Sequence, residues 1–300
     1  MNVALIILTL NAASHWEELS RGIERQSLAP DDVLVIDSAS TDGTADRARD
    51  AGFRVIEIGR GAFSHGGTRQ TAALFMGNAD VLIYLTQDAI PRGTESFRRL
   101  VDAFQNPTVG AAYGRQIPRA NASAIEAHAR LFNYHAASQL RSWESRTTLG
   151  FKSIFFSNTF GAFRRDALMS IGGFAPDVSF GEDTLAVARL HRAGWSTAYV
   201  AEAEVEHSHA YSLRAEFRRY VEIGALHERE RWLIEEFGDA NGEGMRFVVS
   251  ELRYLLRNSP HHIPAAMLRT VVKYLAYRQG RLKGSVRPQA PRRLTAKVQG

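Results

Sequence analysis

Short apolar runs alternate with segments of helical spacing over the first half of the chain. The short runs predict strands, and the segments between them repeat their apolar residues every three or four positions, as one face of a helix does. The predicted strands are 3–10, 32–37, 53–58, 81–85 and 109–113, and the predicted helices are 16–26, 40–50, 66–77 and 95–104. Ser14 is expected to cap the first of these helices. This alternation predicts an α/β fold in which helices wind around a parallel sheet.

The pattern is less regular after residue 113. Region 121–161 contains a helical stretch and few strand signals. A helix is then predicted over 183–193, closed by Gly194, and a strand over 195–200. The sheet is therefore expected to be less regular in its second half than in its first.

The C-terminal third, from Leu213, has helical spacing throughout. Segments 245–256 and 267–277 are amphipathic, and the apolar face of the second consists of Met267, Leu268, Val271, Val272 and Leu275. Such faces can pack on the rest of the protein or form a dimer contact, or they can lie on a membrane surface. All of these interpretations remain open from the sequence.

Composition favours a folded protein that needs no disulfides. The chain has 300 residues, 45% of them hydrophobic, which is enough for one large α/β unit with an appendage. It contains no cysteine, which excludes a disulfide framework and a cysteine-based zinc site. The opening apolar run, Val3 to Leu8, is far shorter than the roughly 20 residues that span a bilayer. We therefore expect a cytoplasmic protein, either soluble or peripheral on a membrane.

The positive charge is concentrated at the C-terminus. The net charge is +5, yet residues 278–300 contain seven basic residues and no acidic one, so the rest of the chain carries −2. A basic tail suggests an anionic partner, either membrane lipid or nucleic acid, or else a solvated, disordered end. Nucleic acid is disfavoured because no aromatic residue follows Tyr277 to stack on bases.

Two predicted strands end in acidic residues. Asp37 ends the strand 32–37, and Asp88 follows the strand 81–85 in the sequence Thr86-Gln87-Asp88. In open α/β sheets, ligands bind at the carboxyl ends of the strands. An ionised Asp37 could accept the N3–H group of uracil or thymine. Capping of the next helix by Ser40 or Thr41 explains the residues that follow, but it does not explain Asp37 itself.

A glycine-rich segment, 61–70, opens a predicted helix. Free backbone amides at a helix N-terminus suit a diphosphate, and Arg69 would add a charged donor, although an ordinary loop has the same composition. The segment matches neither a dinucleotide fingerprint nor a P-loop. The first strand leads into Thr9-Leu10-Asn11, without a glycine turn, which disfavours a Rossmann-type dehydrogenase.

Further candidate residues lie in the second half of the chain. Glu182 and Asp183 occupy the first turn of a helix, where the helix dipole should keep Asp183 ionised, as a general base requires. His207 and His209 stand two positions apart on an extended segment, so at most one of them can reach a given site. Together with Asp88, one histidine and diphosphate oxygens could hold Mg²⁺ or Mn²⁺.

Three motifs resemble those of glycosyltransferase family 2, and more narrowly its bacterial rhamnosyltransferases. They are the segments 37–44 (Asp-Ser-Ala-Ser-Thr-Asp-Gly-Thr), 63–69 (Phe-Ser-His-Gly-Gly-Thr-Arg) and 86–89 (Thr-Gln-Asp-Ala). The resemblance covers about residues 1–215, and the second motif is the most specific. Gln70 departs from the usual Asn, and the family's Asp-x-Asp motif is reduced to Asp88.

The resemblance implies a GT-A fold, a Rossmann-like mixed sheet wound by helices, with a C-terminal helical extension. It assigns catalysis to Asp183 as the base, with Glu182 orienting the loop or binding sugar hydroxyls. It assigns the metal to Asp88 and His207, with His209 as the alternative. The residues expected to bind or border the donor are Thr9, Asn11, Asp37 at the base, Ser40, His65, Arg69 and Gln87.

The resemblance also implies an activity. We expect inverting transfer of L-rhamnose from dTDP-L-rhamnose to a saccharide or polyprenyl-linked acceptor, in O-antigen or related polysaccharide assembly. A UDP- or GDP-sugar is the alternative donor. The expected organisation is a catalytic domain over 1–212, amphipathic helices over 213–280 and a disordered basic tail over 281–300. Peripheral attachment to the inner face of the cell membrane would suit such an acceptor.

Overall fold

The computed structural model describes residues 1–208, 211–239 and 241–285. Its first half is a parallel sheet whose strands follow the predicted runs closely. These strands are β1 (Val3–Thr9), β2 (Asp32–Asp37), β3 (Arg54–Glu57) and β4 (Val81–Thr86), and they lie in the order β3-β2-β1-β4. Each is parallel to its neighbour, so their carboxyl ends share one edge of the sheet.

The second half of the sheet is mixed. Its strands are β5 (Ile90–Pro91), β6 (Val109–Ile117), β7 (Gln139–Arg141), β8 (Phe160–Arg164) and β9 (Ser196–Glu206). The sheet continues from β4 in the order β8-β6-β9-β5, and β7 also pairs with β9. β8 is antiparallel to both of its neighbours, whereas β6 and β9 are parallel. Neither β5, β7 nor β8 was expected, and β9 runs six residues beyond its predicted end, because tertiary pairing extends it.

Twelve α-helices accompany the sheet in the described residues. They are α1 (Ala13–Glu24), α2 (Thr44–Asp50), α3 (His65–Phe75), α4 (Ser96–Asp102), α5 (Ala124–Asn133), α6 (Arg146–Leu149), α7 (Arg165–Ser170), α8 (Glu182–Arg192), α9 (Leu213–Arg229), α10 (Trp232–Phe237), α11 (Asn241–Asn258) and α12 (Ile263–Gly284).

Two predicted helix starts are wrong. Ser14 lies inside α1, which begins without a side-chain cap. α2 begins at Thr44, four residues later than predicted, because Ser40 bonds to Asp37 and does not cap the helix.

An apolar layer covers each face of the sheet. Along β1, Leu5 and Ile7 face a layer that includes Trp16 and Leu19 of α1, while Ala4 and Ile6 face a layer that includes Ala72 of α3. Successive side chains of a strand point to opposite faces, so a strand covered on both sides must be apolar at every position. This is why the strand runs in the sequence are continuous and do not alternate.

The helices α9 and α12 pack against each other through small residues. A Cβ atom on Gly280 would lie 2.1 Å from the carbonyl oxygen of Val221, and one on Gly224 would lie 2.3 Å from that of Tyr277. The face of α12 that is buried is therefore the one that carries Ala276 and Gly280. The predicted apolar face lies elsewhere on the helix: Met267, Leu268, Val271 and Leu275 are between 42% and 55% exposed.

Candidate active site

Asp37 organises the carboxyl ends of β1 and β2. Its carboxylate is fully buried. Oδ1 accepts hydrogen bonds from the hydroxyls of Thr9 (2.8 Å) and Ser40 (2.6 Å), and Oδ2 accepts one from the Ser40 backbone amide (2.8 Å). The structure thus brings together three predicted donor-site residues. In this arrangement Asp37 fixes the turn after β2, and its contact with a nucleobase stays a prediction.

Two amide side chains tie three strand ends into a rim. Asn11 has a φ of +50°; its backbone amide donates to Ser40 Oγ (2.7 Å), and its Oδ1 accepts from the Thr41 amide (3.0 Å). Gln87 holds both backbone groups of Leu10, accepting from the N–H (2.7 Å) and donating to the C=O (3.1 Å). Because both side chains bind backbone, they shape the rim beside Asp37 and Asp88.

Asp88 and His207 meet at this edge, as expected. His207 Nε2 lies 3.2 Å from Asp88 Oδ2. On the other side of the ring, Nδ1 lies 2.9 Å from Gln116 Oε1 and 3.1 Å from Arg130 Nη2. Nε2, which faces Asp88, is the ring nitrogen that would bind a metal ion, while the contacts of Nδ1 fix the orientation of the ring. His209, the alternative ligand, lies outside the described residues.

A carboxylate oxygen and an imidazole nitrogen fit Mg²⁺ or Mn²⁺. Within 1–208, 211–239 and 241–285, no group of three histidine, aspartate or glutamate side chains could hold a metal ion. A cation at the Asp88–His207 pair would therefore take its other ligands from outside this set, which diphosphate oxygens and water could supply.

Glu182 forms a buried ion pair with Arg69 and so joins α8 to α3. Its Oε1 accepts from Arg69 Nη1 (2.5 Å) and from Asn158 Nδ2 (3.2 Å). The two charged side chains are only 5% and 6% exposed. The positive charge of Arg69, which was expected to face a diphosphate, is thus neutralised by Glu182 inside the protein.

Asp183 lies beside this pair and is held by backbone amides. Its Oδ1 accepts from the Thr184 amide (2.7 Å), and its Oδ2 accepts from the Asn158 amide (3.3 Å). Burial and the neighbouring charge of Glu182 raise the pKa of Asp183 to about 6, although Arg69 and the two amides oppose the shift. A pKa near 6, although above the ordinary value, still leaves the carboxylate ionised at neutral pH, as a general base requires.

Three backbone amides at the start of α3, in the glycine-rich segment, are already hydrogen-bonded within the protein. The amide of Gly66 donates to Val178 O (3.1 Å), that of Gly67 to Ser64 Oγ (3.0 Å) and that of Thr68 to Ser64 O (2.9 Å). A Cβ atom on Gly66 would lie 1.9 Å from Ala175 O, so only glycine permits this contact. The amide of Gly66 thus binds the loop before α8, and those of Gly67 and Thr68 bind Ser64, so these three groups are engaged inside the protein; diphosphate binding by this segment stays a prediction.

His65 and Gln70 serve the same contact between α3 and the loop before α8. Burial, together with the charges of Arg69 and Arg219, lowers the pKa of His65 to about 3. The imidazole is therefore neutral, and its ring lies 5.3 Å from that of Phe180. Gln70 Oε1 accepts from the Phe174 amide (2.9 Å), which gives a structural role to the residue that departs from the subgroup pattern.

Sequence comparison decides the family. A family model described as glycosyltransferase-like family 2 matches residues 1–221. The chain belongs to glycosyltransferase family 2. This glycosyltransferase is 42% identical to the O-antigen chain rhamnosyltransferase RfbN of Salmonella typhimurium, over 94% of this chain and 90% of that relative. It is 39% identical to the O-antigen chain rhamnosyltransferase WbaN of Salmonella anatum, over 92% and 88% of the two chains.

The fold of this glycosyltransferase also resembles that of a solved structure. The mannosyltransferase PcManGT from Pyrobaculum calidifontis, solved with GDP-Man and Mn²⁺, matches with a TM-score of 0.58. It shares 19% sequence identity, and the match covers 95% of this chain and 84% of that one. The expected GT-A fold with a helical C-terminal region is confirmed. No helix in the described residues is both long and apolar enough to cross a membrane.

Sequence reasoning missed three polar residues of this glycosyltransferase's site. Gln116 binds His207, Asn158 binds both Glu182 and Asp183, and Arg219 of α9 lies above the Phe180 ring. A signal existed for two of them. Gln116 and Asn158 are polar residues beside apolar strand positions, and both are buried. Arg219 offered none, because a helix surface commonly carries arginine.

Proposed function

We propose that this enzyme transfers L-rhamnose, with inversion, from dTDP-L-rhamnose to a saccharide or polyprenyl-linked saccharide during O-antigen assembly. The observation that carries the proposal is the similarity, over nearly the whole chain, to two O-antigen chain rhamnosyltransferases. The geometry supports the reaction class, because a carboxylate with a pKa near 6 and an Asp–His pair lie at the ligand-binding edge of the sheet. A UDP- or GDP-sugar donor is the alternative.

Asp183 acts as the general base in this proposal. The acceptor hydroxyl oxygen bonds to the anomeric carbon, the bond from that carbon to the diphosphate breaks, and dTDP leaves with the bonding electrons. The hydroxyl proton passes to the Asp183 carboxylate. A base placed in this way contributes about 10²–10⁴-fold to the rate. The amides of Thr184 and Asn158 hold the carboxylate in position while it accepts the proton.

Asp88 and His207 hold the divalent cation in this proposal. Bound Mg²⁺ or Mn²⁺ would supply positive charge that stabilises the departing diphosphate. The Mn²⁺ and GDP-Man in the PcManGT structure support a cation and a nucleotide-sugar donor in this fold. Gln116 would orient the imidazole through Nδ1, as outer-shell partners do in metal sites.

The rim formed by Thr9, Asn11, Asp37, Ser40 and Gln87 borders the nucleotide in this proposal. Asp37 and Ser40 fix the turn after β2, and Gln87 fixes the end of β1 next to Asp88. A thymine or uracil base bound there would meet a prearranged edge, which reduces the entropy cost of binding.

The proposal is tested with the full-length protein and a panel of donors. dTDP-L-rhamnose, UDP-glucose and GDP-mannose are incubated with Mn²⁺ and a lipid-linked saccharide extract, and the transferred sugar is identified by mass spectrometry. We expect a mass increase of one deoxyhexose from dTDP-L-rhamnose alone. Transfer from UDP-glucose or GDP-mannose, with none from dTDP-L-rhamnose, would overturn the sugar assignment but keep the reaction class.

We also propose that α12 rests on an anionic bilayer. Its outward face presents an apolar stripe of six residues, Met267, Leu268, Val271, Tyr274, Leu275 and Leu282, each at least 42% exposed. Basic residues continue beyond it in the sequence, at 287, 292, 293 and 297. Each basic residue near an anionic surface contributes about 1 kcal/mol, and a polyprenyl-linked acceptor lies in the same membrane. If the stripe were instead a contact between two copies of the protein in solution, the basic residues that follow it would not be needed.

A further inference from the structure

Arg219 lies over the ring of Phe180, in the loop that precedes Glu182 and Asp183. It belongs to α9, outside the region to which the sequence assigned the donor site. Its guanidinium carbon lies 5.8 Å from the centre of the Phe180 ring and 5.5 Å from that of Tyr211. Nη1 donates to the Tyr211 hydroxyl (3.2 Å). The guanidinium is thus held between two aromatic rings, which fixes its plane while leaving donor groups available.

Arg219 forms no close ion pair with an acidic residue in the described part of the chain, although the charge of Asp183 acts on it. No Asp or Glu oxygen there lies within 4.0 Å of its guanidinium. Arg69, the arginine that was expected to face the diphosphate, does have such a partner, because it pairs with Glu182. A partly buried guanidinium without a carboxylate is costly unless an anion completes it, so this position is suited to an anionic ligand.

Helix α9, which carries Arg219, packs against the loop that leads to the catalytic acids. Phe180 precedes Glu182 and Asp183 by only two and three residues. A Cβ atom on Gly181 would lie 2.7 Å from Cδ2 of Leu226, so α9 is in direct contact with this loop. Burial opposes the charge of Arg219, but Tyr211, Tyr220 and Asp183 raise its pKa further above the ordinary value. The guanidinium therefore stays charged beside the base.

We propose that Arg219 binds the diphosphate of the nucleotide-sugar donor, the task that the sequence had assigned to Arg69. The proposal deepens the proposed function and rests on it. A guanidinium can donate two parallel hydrogen bonds to phosphate oxygens. As the bond to the sugar breaks, negative charge grows on the leaving diphosphate, and a fixed donor there stabilises the transition state. The cation at Asp88 and His207 would approach the same group from the strand ends.

The test compares diphosphate with monophosphate nucleotides. Isothermal titration with Mn²⁺ gives the Kd of dTDP, UDP and GDP, each against its monophosphate, for the wild type, Arg219→Gln and Arg219→Lys. We expect Arg219→Gln to weaken the bound diphosphate at least about tenfold, the loss of one charge-assisted hydrogen bond, and the monophosphate less than about twofold. Arg219→Lys should fall between, because lysine keeps the charge but loses the planar fork.

Arg218→Gln is the matched control, since Arg218 is the exposed neighbour on the same helix and should leave every Kd unchanged. If Arg219→Gln does not fold, as judged by thermal unfolding, Arg219→Lys carries the same comparison. Equal diphosphate affinity in wild type and variants would overturn the role of Arg219 and leave the proposed function standing. If no diphosphate binds the wild type, both proposals are wrong.

A diphosphate could also belong to a polyprenyl diphosphate acceptor. A second arm therefore measures the KM for the lipid-linked acceptor at saturating donor. A rise in that KM, with nucleotide affinity unchanged, would assign Arg219 to the acceptor and overturn the donor assignment.

Discussion

Asp88 Oδ2 and His207 Nε2 lie 3.2 Å apart although they follow strands that are not neighbours in the main sheet order. The two-residue strand β5 makes this possible. Ile90 pairs with Glu206, which places the residues just before β5 beside those just after β9. The pairing thus assembles the candidate metal site from distant parts of the sequence.

We expect Asp88→Asn and His207→Ala to lose Mn²⁺ affinity and transferase activity together. Losing an outer-shell partner of a metal site typically costs 10–100-fold, so loss of a ligand should cost at least about a hundredfold. Electron paramagnetic resonance measures bound Mn²⁺ without any turnover, and EDTA should abolish activity of the wild type until Mn²⁺ is restored. Asp46→Asn, at an exposed salt bridge, is the control. Full activity in excess EDTA would contradict the metal role.

Asp183→Asn should reduce transfer by about 10²–10⁴-fold while leaving dTDP affinity within twofold, because asparagine keeps the shape but cannot take the proton. Asp177→Asn, at an exposed position of the same loop, is the matched control and should retain activity. Rates come from single-turnover transfer and affinities from titration calorimetry. More than about a tenth of wild-type activity in Asp183→Asn would rule out its role as the base.

The pH dependence follows from the raised pKa of Asp183. Activity should fall as the pH drops through about 6, because protonation removes the base. Protonation of Asp183 has the opposite effect on stability. The folded state binds this proton more tightly than the unfolded chain, so protonation stabilises the fold. This stabilisation is lost as the pH rises from about 4 to 6. Asp183→Asn should therefore unfold at a higher temperature than the wild type at pH 8, and the difference in Tm between the two proteins should be smaller at pH 4. Calorimetric melting curves at pH 8 and pH 4 measure both Tm values. A lower Tm for the variant at pH 8 would contradict the prediction that the pKa of Asp183 is raised.

The Arg69–Glu182 pair should be important for stability. Removing one partner leaves a buried charge uncompensated, which typically costs about 3–5 kcal/mol. We expect Glu182→Gln or Arg69→Met to lower the free energy of unfolding by this amount in urea titrations, and the double variant Arg69→Met/Glu182→Leu to recover much of it. Breaking the exposed Arg49–Asp46 pair should cost less than about 1 kcal/mol. Loss of activity in Glu182→Gln at unchanged stability would instead assign Glu182 to catalysis.

Membrane attachment is tested by changing the exposed stripe of α12. Leu268→Glu/Leu275→Glu should abolish co-sedimentation with vesicles containing phosphatidylglycerol, because it places two charges in the apolar face. Leu74→Glu, an exposed leucine on α3, is the matched control.

Removing residues 286–300 should weaken binding and reduce its salt dependence. The opposing outcome is a wild type that does not bind these vesicles at low salt and elutes as a dimer in size-exclusion chromatography. If Leu268→Glu/Leu275→Glu disrupts that dimer, the stripe is a dimer contact.

The sequence alone determined the first half of the fold and the edge at which ligands bind. Short apolar runs that alternate with segments of helical spacing indicate strands covered on both faces, and parallel strands bring their carboxyl ends together. Thr9, Asp37 and Asp88 could therefore be placed at one edge without a structure. The strand β8 was missed, because it is short and has a tertiary partner that the sequence does not reveal.

Only the tertiary structure decided which charges the protein uses internally. Arg69 and Glu182 are far apart in sequence, and nothing in either motif indicates that they pair, since local spacing carries no information about contacts between α3 and α8. The pKa of Asp183 likewise depends on burial and on the neighbouring charge of Glu182, both of which folding creates. The exposed apolar face of α12 has the same origin: small residues on its other face fit closely against α9, so the larger side chains remain on the surface.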